Sequence, residues 1–236
     1  MNTIVTKPED FARTFTLIAR HDTHYFMEHD LPKFLDSLSG TRIIRLRTYF
    51  NRLRSGEYIP KASYSDTETD YVYLTIGQFS GPHVSFEDLT FLDESVGEQY
   101  AHIRVRIGDL VITRSGTVGV VHIFNPPDDK IYIPSHHLAI VEIPDDAEHS
   151  PEYLRLVLQS EFARKYFWAF ATGKGQKEIS NWSVKSIPIP QCENPHDVAE
   201  KCLDIEREIQ ALEEELSRMQ EKKEQVLYEA IRRQEE

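Results

Sequence analysis

From Val198 the chain carries a repeat that few folds can accommodate. Val198, Ile205, Leu212, Met219 and Val226 lie seven residues apart, and so do Cys202, Ile209, Leu216, Lys223 and Ala230. Written as d and a positions, the two series interleave with 4,3 spacing over about four and a half heptads, and the other faces carry Glu, Arg, Lys and Gln. That pattern predicts one long helix with a coiled-coil seam. The stripe is too narrow for a helix to bury alone, so it calls for a partner helix from another chain. The competing arrangement is a long helix packed on its own domain. Lys223 at an a position and Cys202 weaken the seam and can set register or partner number. At about 1.5 Å per residue, a helix over 198–231 spans about 50 Å.

Ahead of this helix, the periodicity divides the chain into three parts: an N-terminal helical segment (1–40), a central domain (41–192) and the C-terminal helix (193–236). In the first part, Asp22 and Asp30 are plausible caps. Pro32 suits the start of a short helix over Lys33–Leu38, which Gly40 ends. The segment Thr41–Phe50 fits strand or helix equally. The centre reads as β-rich, with strands expected at Tyr71–Ile76, Ile103–Ile107, Leu110–Thr113, Val120–Phe124, Lys130–Ile133 and Leu138–Ile143. Short strands joined by Gly/Pro turns suggest a curved, mostly antiparallel sheet or partial barrel. Ser150-Pro-Glu then opens a helix by N-cap and first-turn proline. Its apolar positions run from Tyr153 to Tyr166, and it ends before Gly173. The expected fold class is α+β: a sheet domain with flanking helices, followed by the long C-terminal helix.

Charge narrows the partners. The formal net charge is −12, which argues against a generic polyanion binder, but it is unevenly spread. From Gln191 onward there are 7 Lys and Arg against 14 Asp and Glu, leaving 20 against 25 in the first 190 residues. Within these, Arg42, Arg45, Arg47, Arg52, Arg54 and Lys61 form a basic block opposed only by Glu57, and 62–102 has no Lys or Arg. A local basic face can hold a polyanion despite a negative sum, because charges are screened beyond about 8 Å at physiological salt. No apolar run approaches the roughly 18 residues of a membrane span, and the first residues lack a signal-peptide pattern. Cys192 and Cys202 would lie about 15 Å apart along a helix, too far for a disulfide. A reduced, cytoplasmic setting is the simplest expectation.

Several short motifs suggest chemistry and then lack its remaining parts. Asn125-Pro-Pro-Asp128 has no aromatic to stack on a flipped base, as an adenine methyltransferase motif would, and reads as a turn. Gly173-Lys-Gly-Gln176 lacks the earlier glycine and the Ser/Thr of a phosphate loop. His136 and His137, if in a strand, point to opposite faces and cannot share a metal. His21, Asp22 and His24 read as surface. No catalytic constellation, metal site or cofactor site follows from these residues.

The segment Gly108-Asp-Leu-Val-Ile-Thr-Arg-Ser-Gly-Thr-Val-Gly119 resembles a signature of the specificity subunits of type I restriction–modification systems. So do Ser150-Pro-Glu-Tyr-Leu154, the run Ala171-Thr-Gly-Lys-Gly-Gln176 with Ile179-Ser180, and Ile187-Pro-Ile-Pro190. The heptad helix falls where that family has its spacer helix. Arg20-His-Asp-Thr-His-Tyr25 is weakly similar to the entry of related domains. Gln191-Cys-Glu-Asn-Pro-His196 departs from the family's usual Leu-Pro-Pro-Leu-x-Glu-Gln. The family carries two target recognition domains and two spacer helices per subunit, so this chain is similar to a half subunit, and two copies would rebuild the whole.

The resemblance implies a sequence-specific DNA-binding subunit without catalysis of its own. It would bind double-stranded DNA and a methyltransferase (modification) subunit, and pair with its own copy through the C-terminal helix. The expected DNA contacts are Arg52, Arg54, Arg114, Lys174, Gln176, Lys177 and Asn181. Arg114 suits guanine, and Gln176 and Asn181 suit adenine. Gly116, Gly119, Gly173 and Gly175 would shape loops, and Trp182 would lie in the core. The alternatives are a recognition module of a fused or split restriction–methylation enzyme, and a coiled-coil adaptor that binds protein.

Overall fold

The computed structural model describes residues 21–38, 40–50, 52–81, 83–144, 149–173 and 175–232. Arg20 and most of the N-terminal segment therefore lie outside the described residues, as does Lys174. The chain divides into two units, one ending at Pro195 and the other beginning at His196. No helix among the described residues is long and apolar enough to cross a membrane.

The first unit is built on two four-stranded sheets. One has the order β2 (Arg52–Ser55), β9 (Leu138–Glu142), β6 (Leu110–Thr113), β7 (Val121–Ile123), with every neighbouring pair antiparallel. The other has the order β3 (Tyr64–Ser65), β5 (Thr90–Leu92), β4 (Tyr71–Leu74), β8 (Ile131–Pro134). Its one parallel pair is β4–β8, with Tyr71 opposite Ile131 and Leu74 opposite Pro134. Val72, Leu74 and Tyr132 from the second sheet pack with Val111, Leu138 and Ile140 from the first in a common core that also takes in Phe79 and Phe124. Among the described residues the sheets do not close into a barrel.

Buried strands need cover on both faces, and all four residues of β6 are buried. Short helices supply part of that cover. Ser150 accepts from the Tyr153 amide and starts a helix at Pro151–Gln159, and Gln159 Nε2 donates to the Val121 carbonyl of β7 at 2.8 Å. The apolar spacing predicts a single helix running on to Tyr166. Instead Ser160 leaves the helical conformation, ends this helix and caps the next, Glu161–Phe170, accepting from the Ala163 amide. Its side chain competes for backbone donors and so makes a new N-terminus. The N-terminal helical part comprises His21–Tyr25, a π-helical turn at Phe26–Asp30 and Leu31–Ser37. Phe26 packs against Phe162, Tyr166 and Phe170, and Phe34 stacks on Phe162.

The ambiguous segment Thr41–Phe50 is both strand and helix in turn: β1 (Ile43–Arg45), then a 3-10 turn at Leu46–Thr48. β1 pairs antiparallel with β10 (Pro188–Pro190). The two prolines of β10 cannot donate to a ladder, so this is a two-stranded edge. Ile187 and Ile189 are fully buried. The expected strand at Ile103–Ile107 does not form. Its alternation is real, with Val105 buried between exposed Arg104 and Arg106, but its backbone makes a single bond to a strand, from Val105 N to the Tyr132 carbonyl at 2.8 Å. One bond is not a ladder.

The second unit is helix, Pro195–Arg232 with 38 residues, its first residue belonging to the first unit. Val198, Ile205, Ile209, Leu212, Leu216, Met219 and Val226 are all exposed on it.

Candidate nucleic-acid interface

Antiparallel pairing fixes which loops share an end of the first sheet. Ser55 at the end of β2 lies opposite Ala139, and Thr113 at the end of β6 lies opposite Leu138. The loop after β6 therefore meets the end of β2 and the turn between β8 and β9. Glu57 bridges to Ser135 in the same place. The segment 172–181 joins through backbone bonds: Ile179 N donates to the Arg114 carbonyl at 2.8 Å, and Thr172 and Glu178 exchange two bonds of 2.7 Å. Gly173 makes the resulting tight loop possible. Its φ is +125°, and a Cβ there would lie 2.0 Å from the Gln176 carbonyl oxygen. Gly119 closes the loop after β6 in the same way, with φ +84° and the Phe167 ring where a side chain would go.

Arg114 occupies the centre of this end. Nε donates to the Ile179 carbonyl at 3.1 Å, Nη1 to Ser55 Oγ and to the His136 carbonyl, and Nη2 to Glu178 Oε1 at 2.8 Å. A guanidinium has five N–H donors, so one remains. Bidentate recognition of guanine takes two, and Arg114 has them only after releasing a partner. Asn181 donates from Nδ2 to the same Ser55 Oγ at 3.0 Å, while its buried Oδ1 has no hydrogen-bond partner in the protein. Gln176 is exposed, and its Nε2 lies 3.7 Å from where a Cβ on Gly116 would sit. Lys177 Nζ stands 4.7 Å from the Trp168 ring centre, over its face, and Trp168 is 58% exposed. Arg114, Gln176 and Asn181 are thus brought together.

The two arginines of β2 differ. Arg52 is exposed. Arg54 is buried: Nε donates to Glu142 Oε1 at 2.8 Å, Nη1 to the Ile103 carbonyl and Nη2 to the Arg104 carbonyl at 2.6 Å. Asp109 lies 3.9 Å from Nη2. Burial raises the Asp109 carboxyl above its usual range, although the Arg106 amide and the Arg54 charge oppose this. The Arg54 guanidinium ties β2 to the chain before β6 and is occupied in doing so.

Sequence reasoning passed over Ser55 and Tyr58, and considered the histidine pair only as metal ligands in a strand. His136 and His137 do not point to opposite faces of a strand. They are the central residues of a turn closed by Leu138 N to the Ser135 carbonyl at 3.0 Å, and their ring centres lie 3.7 Å apart. His137 Nδ1 hydrogen-bonds Ser115 Oγ. Tyr58, 67% exposed, meets His136 edge-on with ring centres 5.5 Å apart. The adjacent pair was the available signal, since a Ser-His-His run bounded by strands is also a turn pattern. Among the described residues no group of three or more His, Cys, Asp or Glu is placed to hold a metal. Trp182, expected in the core, is 45% exposed. Its short helix, Asn181–Ser186, turns Ser183, Val184 and Ser186 inward and leaves Trp182 on the other face.

No protein-family model and no curated protein matches the sequence. Among solved structures, the chain has the fold of type I restriction–modification S subunits. The S subunit from M. genitalium aligns with TM-score 0.51 and 18% identity over 73% of this chain and 41% of its own. The HsdS subunit from Thermoanaerobacter tengcongensis aligns with TM-score 0.51 and 15% identity over 87% and 50%. A chain from a study of type I R-M complex assembly and conformational transition aligns with TM-score 0.52 and 17% identity over 89% and 52%. The chain therefore spans about half the length of the S-subunit chains it matches.

Proposed function

We propose that this chain is a DNA-reading specificity subunit of a type I-like restriction–modification system, acting in the cytoplasm without catalysis of its own. The observation that carries the reading is the fold: two packed sheets with flanking helices, then a long helix, matching S subunits over most of this chain. The loop end around Arg114 is the DNA-facing surface. Gln176 and Asn181 read base edges there, and Arg52, Lys174 and Lys177 hold phosphates. Arg114 organises the loops that do the reading, and Arg54 is structural.

In this reading the long helix binds a second copy of the chain, helices of a methyltransferase subunit, or both. The exposed heptad seam supports that role, since its apolar residues are left in solvent without a partner helix. Two recognition units held by paired helices would read two half-sites across a spacer. The test is selection from a random duplex library across a salt series, with the full chain alone and with a methyltransferase subunit. Enrichment of one motif is expected. Failure to enrich any sequence at any salt, with or without the subunit, removes the DNA reading and leaves the protein-binding adaptor.

A further inference from the structure

The turn Ser135–Leu138 sits among the loops assigned to DNA, yet none of the expected contacts belongs to it. Its two imidazoles are half-exposed and tilted at 41° to each other with ring centres 3.7 Å apart, and an exposed tyrosine stands against one of them. Each of these features alone is ordinary. Together they place three rings in a row at the end of the sheet where Arg114 ties three other segments to its own. We propose that this turn contacts the DNA backbone, with His136 and His137 holding a phosphate and Tyr58 extending the contact surface. The inference rests on the DNA reading above.

The local chemistry favours imidazole as a phosphate ligand here. Ser115 Oγ engages His137 Nδ1, which fixes the ring and leaves Nε2 to an incoming group. The charged groups around the pair are Arg114, which donates to the His136 carbonyl, and Glu178, which is bound to Arg114. Glu57 faces the turn through its backbone bridge to Ser135, and Tyr58 is the other titratable neighbour. Burial, then the neighbouring His136, lowers the His137 pKa, with Arg114 adding to this and Glu178 opposing it. A phosphate arriving at the pair supplies the missing counter-charge and raises the affinity of the rings for protons. Binding then takes up protons, and by linkage the affinity for DNA rises as pH falls through the histidine range.

Short random-sequence duplexes are the right probe, because phosphate contacts do not need a target sequence. Binding of the full chain would be followed by fluorescence anisotropy at fixed low salt from about pH 8 to about pH 6. The wild type should tighten by about three- to tenfold over that range, and the double variant His136→Gln/His137→Gln should lose most of this dependence. His136→Gln alone keeps the Ser115–His137 bond intact, so it separates loss of contact from loss of folding, and it should lose part of the dependence. The other histidines are common to all three proteins. Wild-type binding that ignores pH, or variants that keep the full wild-type dependence, overturns the proposal. A wild type that binds no duplex at any pH overturns the DNA reading as well.

Discussion

Replacing Arg114 by alanine leaves Ser55 Oγ and the carbonyls of His136 and Ile179 without their shared donor. The ion pair with Glu178 adds little, because that carboxylate is 55% exposed. The part-buried bonds are the larger loss, and Arg114→Ala should destabilise the domain by about 1–3 kcal/mol in urea denaturation. Arg114→Lys should recover little of this, since one ammonium cannot reproduce a planar fork aimed at four acceptors. Arg54 gives a different signature. Arg54→Met removes the cation between Glu142 and Asp109, and unpaired buried carboxylates cost about 3–5 kcal/mol. The Asp109 pKa is already raised by burial, and loss of Arg54 raises it further. A carboxyl whose folded pKa lies above its unfolded one favours the fold when protonated and loses that contribution as pH rises through the folded pKa. The stability gap between Arg54→Met and wild type should therefore be wide at neutral pH and narrow on acidification towards the ordinary aspartate range, as measured by melting temperature against pH. None of this was legible in the sequence, where both arginines read as DNA contacts. Their partners lie 49 to 88 residues away for Arg54 and 22 to 65 for Arg114, and a residue's own neighbours say nothing about acceptors at that range.

Elements with a regular period or a required backbone conformation were the ones that could be read. The heptads of 198–230 repeat too often for another fold, and the helix Pro195–Arg232 contains them all. The loop after β6 was visible because its glycines are needed: Gly119→Ala would force a positive φ and a clash with Phe167, and should cost about 2 kcal/mol or more. β2 was hidden for the opposite reason. Arg52-Leu53-Arg54-Ser55 reads as a charged run, and only a buried guanidinium with three acceptors lets it be a strand. Ser160 was hidden because one serine serves two helices. Ser160→Ala should cost about 1 kcal/mol through the lost cap, read as a fall in melting temperature. On the long helix, Lys223→Ile should strengthen partner binding, and Leu216→Asp should abolish it. Sedimentation at matched concentration should give the Lys223→Ile variant the highest mass, the wild type an intermediate one and the Leu216→Asp variant the lowest.

For the whole molecule, the α+β class and the succession of sheet domain and long helix follow from the sequence, whereas the division into two sheets does not. The parallel β4–β8 pair joins strands nearly 60 residues apart, and no local pattern specifies such a pairing. Another long-range pair brings the chain near residues 42 and 191 together. β1 meets β10, and the Gln191 amide donates to the Arg42 carbonyl at 2.7 Å. The backbone thus passes residues 42 and 191 side by side. The two ends of the stretch between them are therefore adjacent, while the helices of 21–37 pack on Glu161–Phe170 from outside it, so a replacement of the same fold has to keep the face that Phe26 and Phe34 meet. New loops at the Arg114 end could arrive with such an exchange while the sequence of the long helix stays unchanged.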